Sequence, residues 1–453
     1  MNRIFRAQYE DTSYWAFFIE WRISMSKKLS FWSIYFLGMN SIIGSGTFLL
    51  PQTIYKDMGV LGILVLVTSA LSMGLIVTCY ARLAGKFDES GGSWVYSYHA
   101  FGKFAGFQVG MFTYVLGCCG TACEIVAFMT TLKSYNPIFG NSGVKLTIIS
   151  AIILLFLVVN YFGNYFVKIF DNISSATKVF VVIFFIIVGL FFIQKDNFEP
   201  IIPNYVGNSV RGFSNHFSEA FSVTFYMFGG FSLLPVAARK MVNSKKNLPR
   251  VLTVIMLSLI CLYSLVMVVC IGILGRKLVS SHVPVADALL LTVGKWGYLL
   301  IIVCMLVGMI GAAFAQSYDA TMLPASLSLE HHMLPKWIGK KNRFDAPIVS
   351  MIITYVIIFM LTTQSYLFLV SLVVLASFIQ YLPSILSVIK LEYQKQFGNR
   401  TKAIMGYVIP GLALIVSMYL IISFSRPALI IGFIVIIVNT ILYCFLRRRL
   451  SMK

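Results

Sequence analysis

Three ionisable side chains stand inside apolar stretches, where a charge needs a reason. Glu124 lies deep in one hydrophobic run, Lys178 one to two turns inside another, and Asp319 near the end of a third. A carboxylate at the centre of a membrane-spanning helix costs about 2.5–3.5 kcal/mol on insertion scales, so Glu124 is expected to face the protein interior. There it reads as a proton carrier, as the partner of a cationic group on a ligand, or as a structural acceptor for a neighbouring span. Thr121, one turn earlier, shares that face and would line the same pocket. The bland reading of Lys178 is a side chain snorkelling to the cytoplasmic headgroups. Asp319 is the weakest of the three and reads as solvated.

The second chemical resource is backbone. Gly44, Ser45 and Gly46 sit near the middle of the first apolar segment, and Phe228-Gly229-Gly230 interrupts a much later one. Consecutive small residues let a helix unwind. Unwound backbone survives in hydrocarbon only where protein or a water-filled cavity satisfies it. The alternative is that the glycines serve close helix packing. Two interrupted segments at corresponding places in two halves of a chain point to the substrate site of a secondary transporter. Exposed N–H groups at Ser45, Gly46 and Thr47 would face a carboxylate, and carbonyls of Ile42 and of Tyr226 to Gly229 an ammonium. That pair of charges is what an amino acid carries.

The elements that must position these groups are apolar helices. The chain has 453 residues, 58% hydrophobic and 11% charged, which excludes an ordinary soluble domain. At about 20 residues per span the sequence predicts twelve: Phe31–Thr53, Leu61–Ala84, Phe104–Leu132, Leu146–Phe162, Ile173–Ile193, Phe217–Val236, Val251–Leu274, Leu299–Leu323, a short ninth at Ile348–Leu361, Tyr366–Ile389, Ile404–Phe424 and Ala428–Leu446. Net charge is +20. With the N-terminus cytoplasmic, only nine of the 36 Lys and Arg (Lys56, Lys133, Lys145, Lys195, Arg211, Arg276, Lys277, Lys295 and Arg426) fall outside. The charge is therefore a topology signal placing both termini in the cytoplasm, and not a nucleic-acid footprint. The eight Cys lie in apolar segments without metal-ligand spacing and read as small core residues. Met1 to Ser24 reads as a non-essential extension or misassigned start, or else as an amphipathic surface helix with Trp15, Phe17 and Phe18 on the lipid side.

Between the spans, Ser90 to Tyr98 suits a helix at the interface with its rings at headgroup depth. Gly106, Gly110, Gly117 and Gly120 line the third span and would let a neighbour approach closely. Val283 to Leu289 reads as a short external helix, and Ala238 to Arg250 as a basic cytoplasmic loop that stops before the seventh span. The last two spans look like a peripheral pair.

Four blocks match a family. GSGTFLLP in the first span, GGSWVYSYHAFG after the second, FYMFGGFS in the sixth and the loop VNSKKNLPR resemble the amino acid–polyamine–organocation transporters. The arginine/agmatine antiporter branch is nearest over the first three spans, where its GSGVFLLP and GGSYAYARRCFGPFLGYQ are similar to GSGTFLLP and GGSWVYSYHAFGKFAGFQ here. The resemblance runs from about Leu37 to Pro335. It implies an all-α membrane protein with a five-plus-five inverted repeat. On that plan 1–30 is a cytoplasmic segment, 31–194 and 195–390 are the two repeats, and 391–453 holds two peripheral spans and the C-terminus. It assigns the same backbone positions at the two breaks; with the residue reading, the candidate substrate contacts are Ile42, Ser45, Gly46, Thr47, Thr121, Glu124, Tyr226, Phe228, Gly229, Gly230 and Ser317, and the coupling candidates are Glu124 and Lys178. Several members carry a fifth-span Lys where sodium-coupled relatives bind an ion, so Lys178 would argue against sodium. In the antiporter branch a Trp gate and a proton-sensing Glu occupy the sixth span; here they read Tyr226 and Ser232, and Ser232 cannot titrate. Acid-driven arginine/agmatine exchange is therefore in doubt.

His331 and His332 lack a third ligand at zinc spacing, no phosphate loop is present, and no nucleophile–base–acid set suggests an enzyme. The expectation is a cell-membrane amino acid permease or exchanger working by alternating access. It would be proton-coupled or exchange-driven, with a lean to a cationic amino acid or amine, no cofactor and no metal. Its partners would be the small-molecule substrate and membrane lipid, without nucleic acid, as a monomer or homodimer. The alternatives are an antiporter serving a decarboxylation pathway, a transporter-like nutrient sensor, and a channel. The last is disfavoured by the lack of charge rings or a repeated filter.

Overall fold

The computed structural model describes residues 30–87, 92–162, 164–203, 206, 209–234, 241, 243–329, 331–394, 404–424 and 426–450. The readings of Met1 to Ser24 lie outside them. Among the described residues the chain is helical, with an isolated β-bridge between Lys341 and Pro347. Nine described helices are long and apolar enough to cross a membrane. The expected first, sixth and ninth spans are not among them. The ninth is the 14-residue helix Ile348–Leu361; the other two are broken.

In chain order the helices are α1 (Phe31–Ile42), α2 (Gly46–Leu49), α3 (Pro51–Met58), α4 (Gly62–Ala84), α5 (Ser93–Phe101), α6 (Lys103–Tyr135), α7 (Ser142–Tyr161) and α8 (Asn164–Leu190). They continue as α9 (Val210–Met227), α10 (Ser244–Leu274), α11 (Pro284–Thr292), α12 (Lys295–Leu329), α13 (Ile348–Leu361), α14 (Tyr366–Tyr393), α15 (Ile409–Ser423) and α16 (Arg426–Leu450). Side-chain caps start several of them: Ser30 accepts from the Ser33 amide, Ser209 from Gly212, and Ser365 from Phe368. Pro51 and Pro284 stand at first-turn positions, where the missing N–H costs nothing.

The centre of the molecule is α6 and α14, each 67% buried along its apolar stretch, whereas α7 and α16 bury 17% of theirs and α15 28%. The last two spans are peripheral, as their composition suggests. The glycine face of α6 lies against α12. A Cβ at Gly110 would meet Leu327 at 3.2 Å, at Gly117 the Ala320 Cβ at 2.9 Å, and at Gly120 the Gln316 side-chain oxygen closer still. These glycines do serve close packing. Arg82 of α4 pairs with Glu392 of α14, and the Ser69 and Thr224 hydroxyls join α4 to α9.

Three expectations need correcting. Helix α10 already begins at Ser244 and carries Pro249 inside it, so the basic loop does not run to Arg250. The Trp94 and Tyr96 rings of α5 are buried against protein and so do not face headgroups; Ser93 donates to Gln380, and Trp94 packs edge-on against His331. Cys261 and Cys444 face outward and Cys304 is half-buried, so the core reading holds for the other five cysteines. A thiol is apolar enough for either side of a membrane helix, so composition does not separate the two.

Candidate functional site

Helix α1 ends at Ile42. The Ile43 amide still reaches the Met39 carbonyl at 2.9 Å, then the backbone turns extended at Ile43 (φ −71°, ψ 104°) and helix resumes at Gly46. The sixth segment breaks after Met227. Its last bonds run from the Phe228 amide to Phe225 at 3.2 Å and from Gly229 to Tyr226 at 3.1 Å. Gly230 then adopts φ +93°, the left-handed region that a Cβ penalises. A Cβ there would also meet the Ser41 carbonyl oxygen far inside contact distance. The two breaks touch at this point, and the Ser41 hydroxyl donates to the Gly230 carbonyl at 3.2 Å.

Side chains from other helices fill the first break. At the end of α1 the Lys178 ammonium, buried on α8, donates to the Asn40 carbonyl at 2.9 Å. The Tyr263 hydroxyl reaches the Ile42 carbonyl at 3.4 Å. Across the gap, the Ser45 amide donates to both oxygens of Glu124, at 3.1 and 3.3 Å, and the Ser45 hydroxyl to Oε1 at 3.0 Å. A cation thus stands at the carbonyl end of the inner half-helix and a carboxylate at the N–H end of the outer half, each the favourable partner for that end. Gly44 makes the approach possible, since a Cβ there would lie 2.7 Å from Glu124 Oε1.

Two tyrosines close the arrangement. The Tyr226 hydroxyl donates to Glu124 Oε1 at 3.3 Å, and its ring covers Gly46, whose Cβ would come within 3.0 Å of it. The Tyr366 hydroxyl lies 3.1 Å from the Ser45 hydroxyl. Because that serine gives its one proton to Glu124, Tyr366 is the donor in this contact. The two rings meet edge to face at 6.4 Å. Beside Tyr226 and Gly229 is a cavity of about 10 Å³, walled by Met73, Phe225, Phe378 and Tyr381. That is about the size of one water.

The structure therefore brings Ser45, Gly46, Glu124, Tyr226 and Gly230 together, with Lys178 and Ile42 at the inner edge. Thr47 is buried in the outer half-helix, and Phe228 packs its ring on Tyr263 at 5.3 Å. Thr121 is buried one turn before Glu124, with its hydroxyl donating to the Gly117 carbonyl. Ser317 belongs to a different group: it lies 3.1 Å from the Tyr355 hydroxyl and accepts from Asn160 at 3.4 Å. Asp319 is exposed and Ser232 half-buried. Tyr366 is the residue that sequence reasoning missed. At the first position of a span it reads as an interfacial tyrosine, and its partner is 321 residues away.

The amino acid permease family profile matches residues 29–446. An uncharacterised transporter of Mycobacterium tuberculosis is 27% identical over 424 residues, 88% of each chain. The branched-chain amino acid permease of Bacillus subtilis is 24% identical over 456 residues, 94% of each. The arginine/ornithine antiporter of Pseudomonas aeruginosa is 24% identical over 330 residues, 71% of this chain and 68% of its own. Together with the helical fold and its two broken spans, the match over nearly the whole length means that this chain belongs to the amino acid permease family, within the amino acid–polyamine–organocation superfamily, and is a multi-pass membrane transporter of amino acids and no enzyme.

Proposed function

We propose that this transporter works by alternating access, with the substrate carboxylate displacing Glu124 from the Ser45 amide. The observation that carries the reading is the Glu124 carboxylate on that N–H group, the seat an amino acid's own carboxylate would take. Two carboxylates about 4 Å apart repel by about 4 kcal/mol at an effective dielectric of 20. Substrate therefore binds when Glu124 has taken a proton or swung aside, which ties binding to proton uptake. Tyr226 and Tyr366 would then donate to the substrate in place of Glu124 and Ser45. The Lys178 ammonium on the Asn40 carbonyl disfavours a sodium ion at that place, so the driving force would be protons or exchange.

On this reading the two breaks mark the cores of an inverted repeat, 31–194 and 195–390. Both termini are cytoplasmic in a cell membrane, and the protein acts as a monomer or homodimer. A second substrate reading follows from the same carboxylate: Glu124 stays ionised and pairs with a cationic side chain.

Uptake into proteoliposomes at two external pH values separates the readings. Glu124→Gln is expected to retain uptake and lose its pH dependence. A variant that keeps the full pH dependence and loses only cationic substrates makes Glu124 a specificity residue. No transport of any amino acid or amine by the native protein would leave a binding sensor.

A further inference from the structure

The outer halves of the two broken segments carry a cluster unrelated to the substrate seat. Asp57 stands in the last turn of α3. His216 and Glu219 lie three residues apart on α9, and that spacing puts them on one face. One ligand atom from each (an imidazole nitrogen and two carboxylate oxygens) lies within 4.8 Å of the others. Asp57 and His216 are half-buried and Glu219 is exposed, so the group is open at its rim. In a tetrahedral zinc site, metal–ligand bonds of 2.0–2.2 Å set neighbouring ligand atoms about 3.3 Å apart. The observed spread needs only small rotamer changes to close to that.

We propose that Asp57, His216 and Glu219 bind a first-row divalent metal ion of the zinc type, clamping the outer half-helix of the first span to that of the sixth. The donor set argues for the ion class. Imidazole with carboxylates suits zinc and its neighbours, whereas calcium and magnesium take all-oxygen sets. The two carboxylates repel each other at short range, and a divalent cation reverses that term. Three protein ligands leave a fourth position to water. The site was invisible in sequence because one ligand lies 159 positions from the nearer of the other two, and a His-x-x-Glu pair alone has little meaning. An ion bridging α3 and α9 would hold the two outer half-helices together, so metal on the outside would slow transport.

The test uses the full-length protein purified without a histidine tag. Zinc binding is measured by competition with a chromophoric chelator, and cobalt binding by its visible absorption. One ion per chain is expected. Binding should weaken at least tenfold in both His216→Gln and Asp57→Asn, with an intense tetrahedral cobalt spectrum that both variants lose. His331→Gln/His332→Gln should bind as the native protein does. External zinc should inhibit native uptake in proteoliposomes and leave His216→Gln unaffected. Native-like binding in both site variants overturns the proposal, and so does loss of binding only in the His331/His332 double variant. A metal-free melting temperature matched to native checks that the variants fold.

Discussion

The two breaks in this chain are closed in different ways. The sixth is closed by its own backbone: Phe228 and Gly229 fold back onto Phe225 and Tyr226, and Gly230 turns the chain against Ser41. The first is closed by borrowed side chains, with Lys178 on Asn40, Tyr263 on Ile42, and Glu124 on Ser45. A backbone closure is fixed by conformation. A side-chain closure can be exchanged for a ligand with the same charges. On the mechanism proposed above, the first break is where substrate is held, and the sixth is a hinge that delivers Tyr226.

The largest expected effect breaks the hinge. Gly230→Ala sets a Cβ against the Ser41 carbonyl at an unfavourable φ, where the conformation alone costs about 1–2 kcal/mol. Loss of folded protein, read by size-exclusion yield and melting temperature, is expected. A well-folded, fully active variant would show that the two breaks do not need their close contact.

Lys178→Met comes next. It leaves the Asn40 carbonyl buried without its charged donor, at a cost of about 1–3 kcal/mol. Uptake should fall about tenfold or more, with Lys178→Arg recovering part of it. Equal uptake by native and Met proteins would make the first break as self-sufficient as the sixth. The smallest effect is at the rim: Tyr366→Phe removes one part-buried hydrogen bond, worth about 0.6 kcal/mol in membrane proteins, or about threefold in KM. Ser317→Ala, in the Asn160–Tyr355 group, should leave KM unchanged. A larger KM change at Ser317 than at Tyr366 would move the pocket toward α12.

The glycine interruptions and the charged residues in apolar runs were legible because each violates a local rule of membrane helices. Gly44, Gly230, Glu124 and Lys178 all stand out in this way. The pairings were not legible. That Glu124 meets Ser45, 79 residues away, depends on how α6 lies against the first break. That Ser317 turns to Tyr355 depends on the rotation of α12 about its axis, which a helix of mean apolar character leaves open. The Ile42 carbonyl, expected to be available to an ammonium, is taken by Tyr263, a residue with no sequence signal.

The seam between α6 and α12 has a mechanical meaning. Where Gly117 faces Ala320 there is no layer of side chains between the two backbones. Soft cores shear because side chains re-pack; a seam this thin has no lubricant and no slack. At this level the two longest described helices are held as one stiff post. Strain arriving at Glu124 on that post is passed to whatever turns about it.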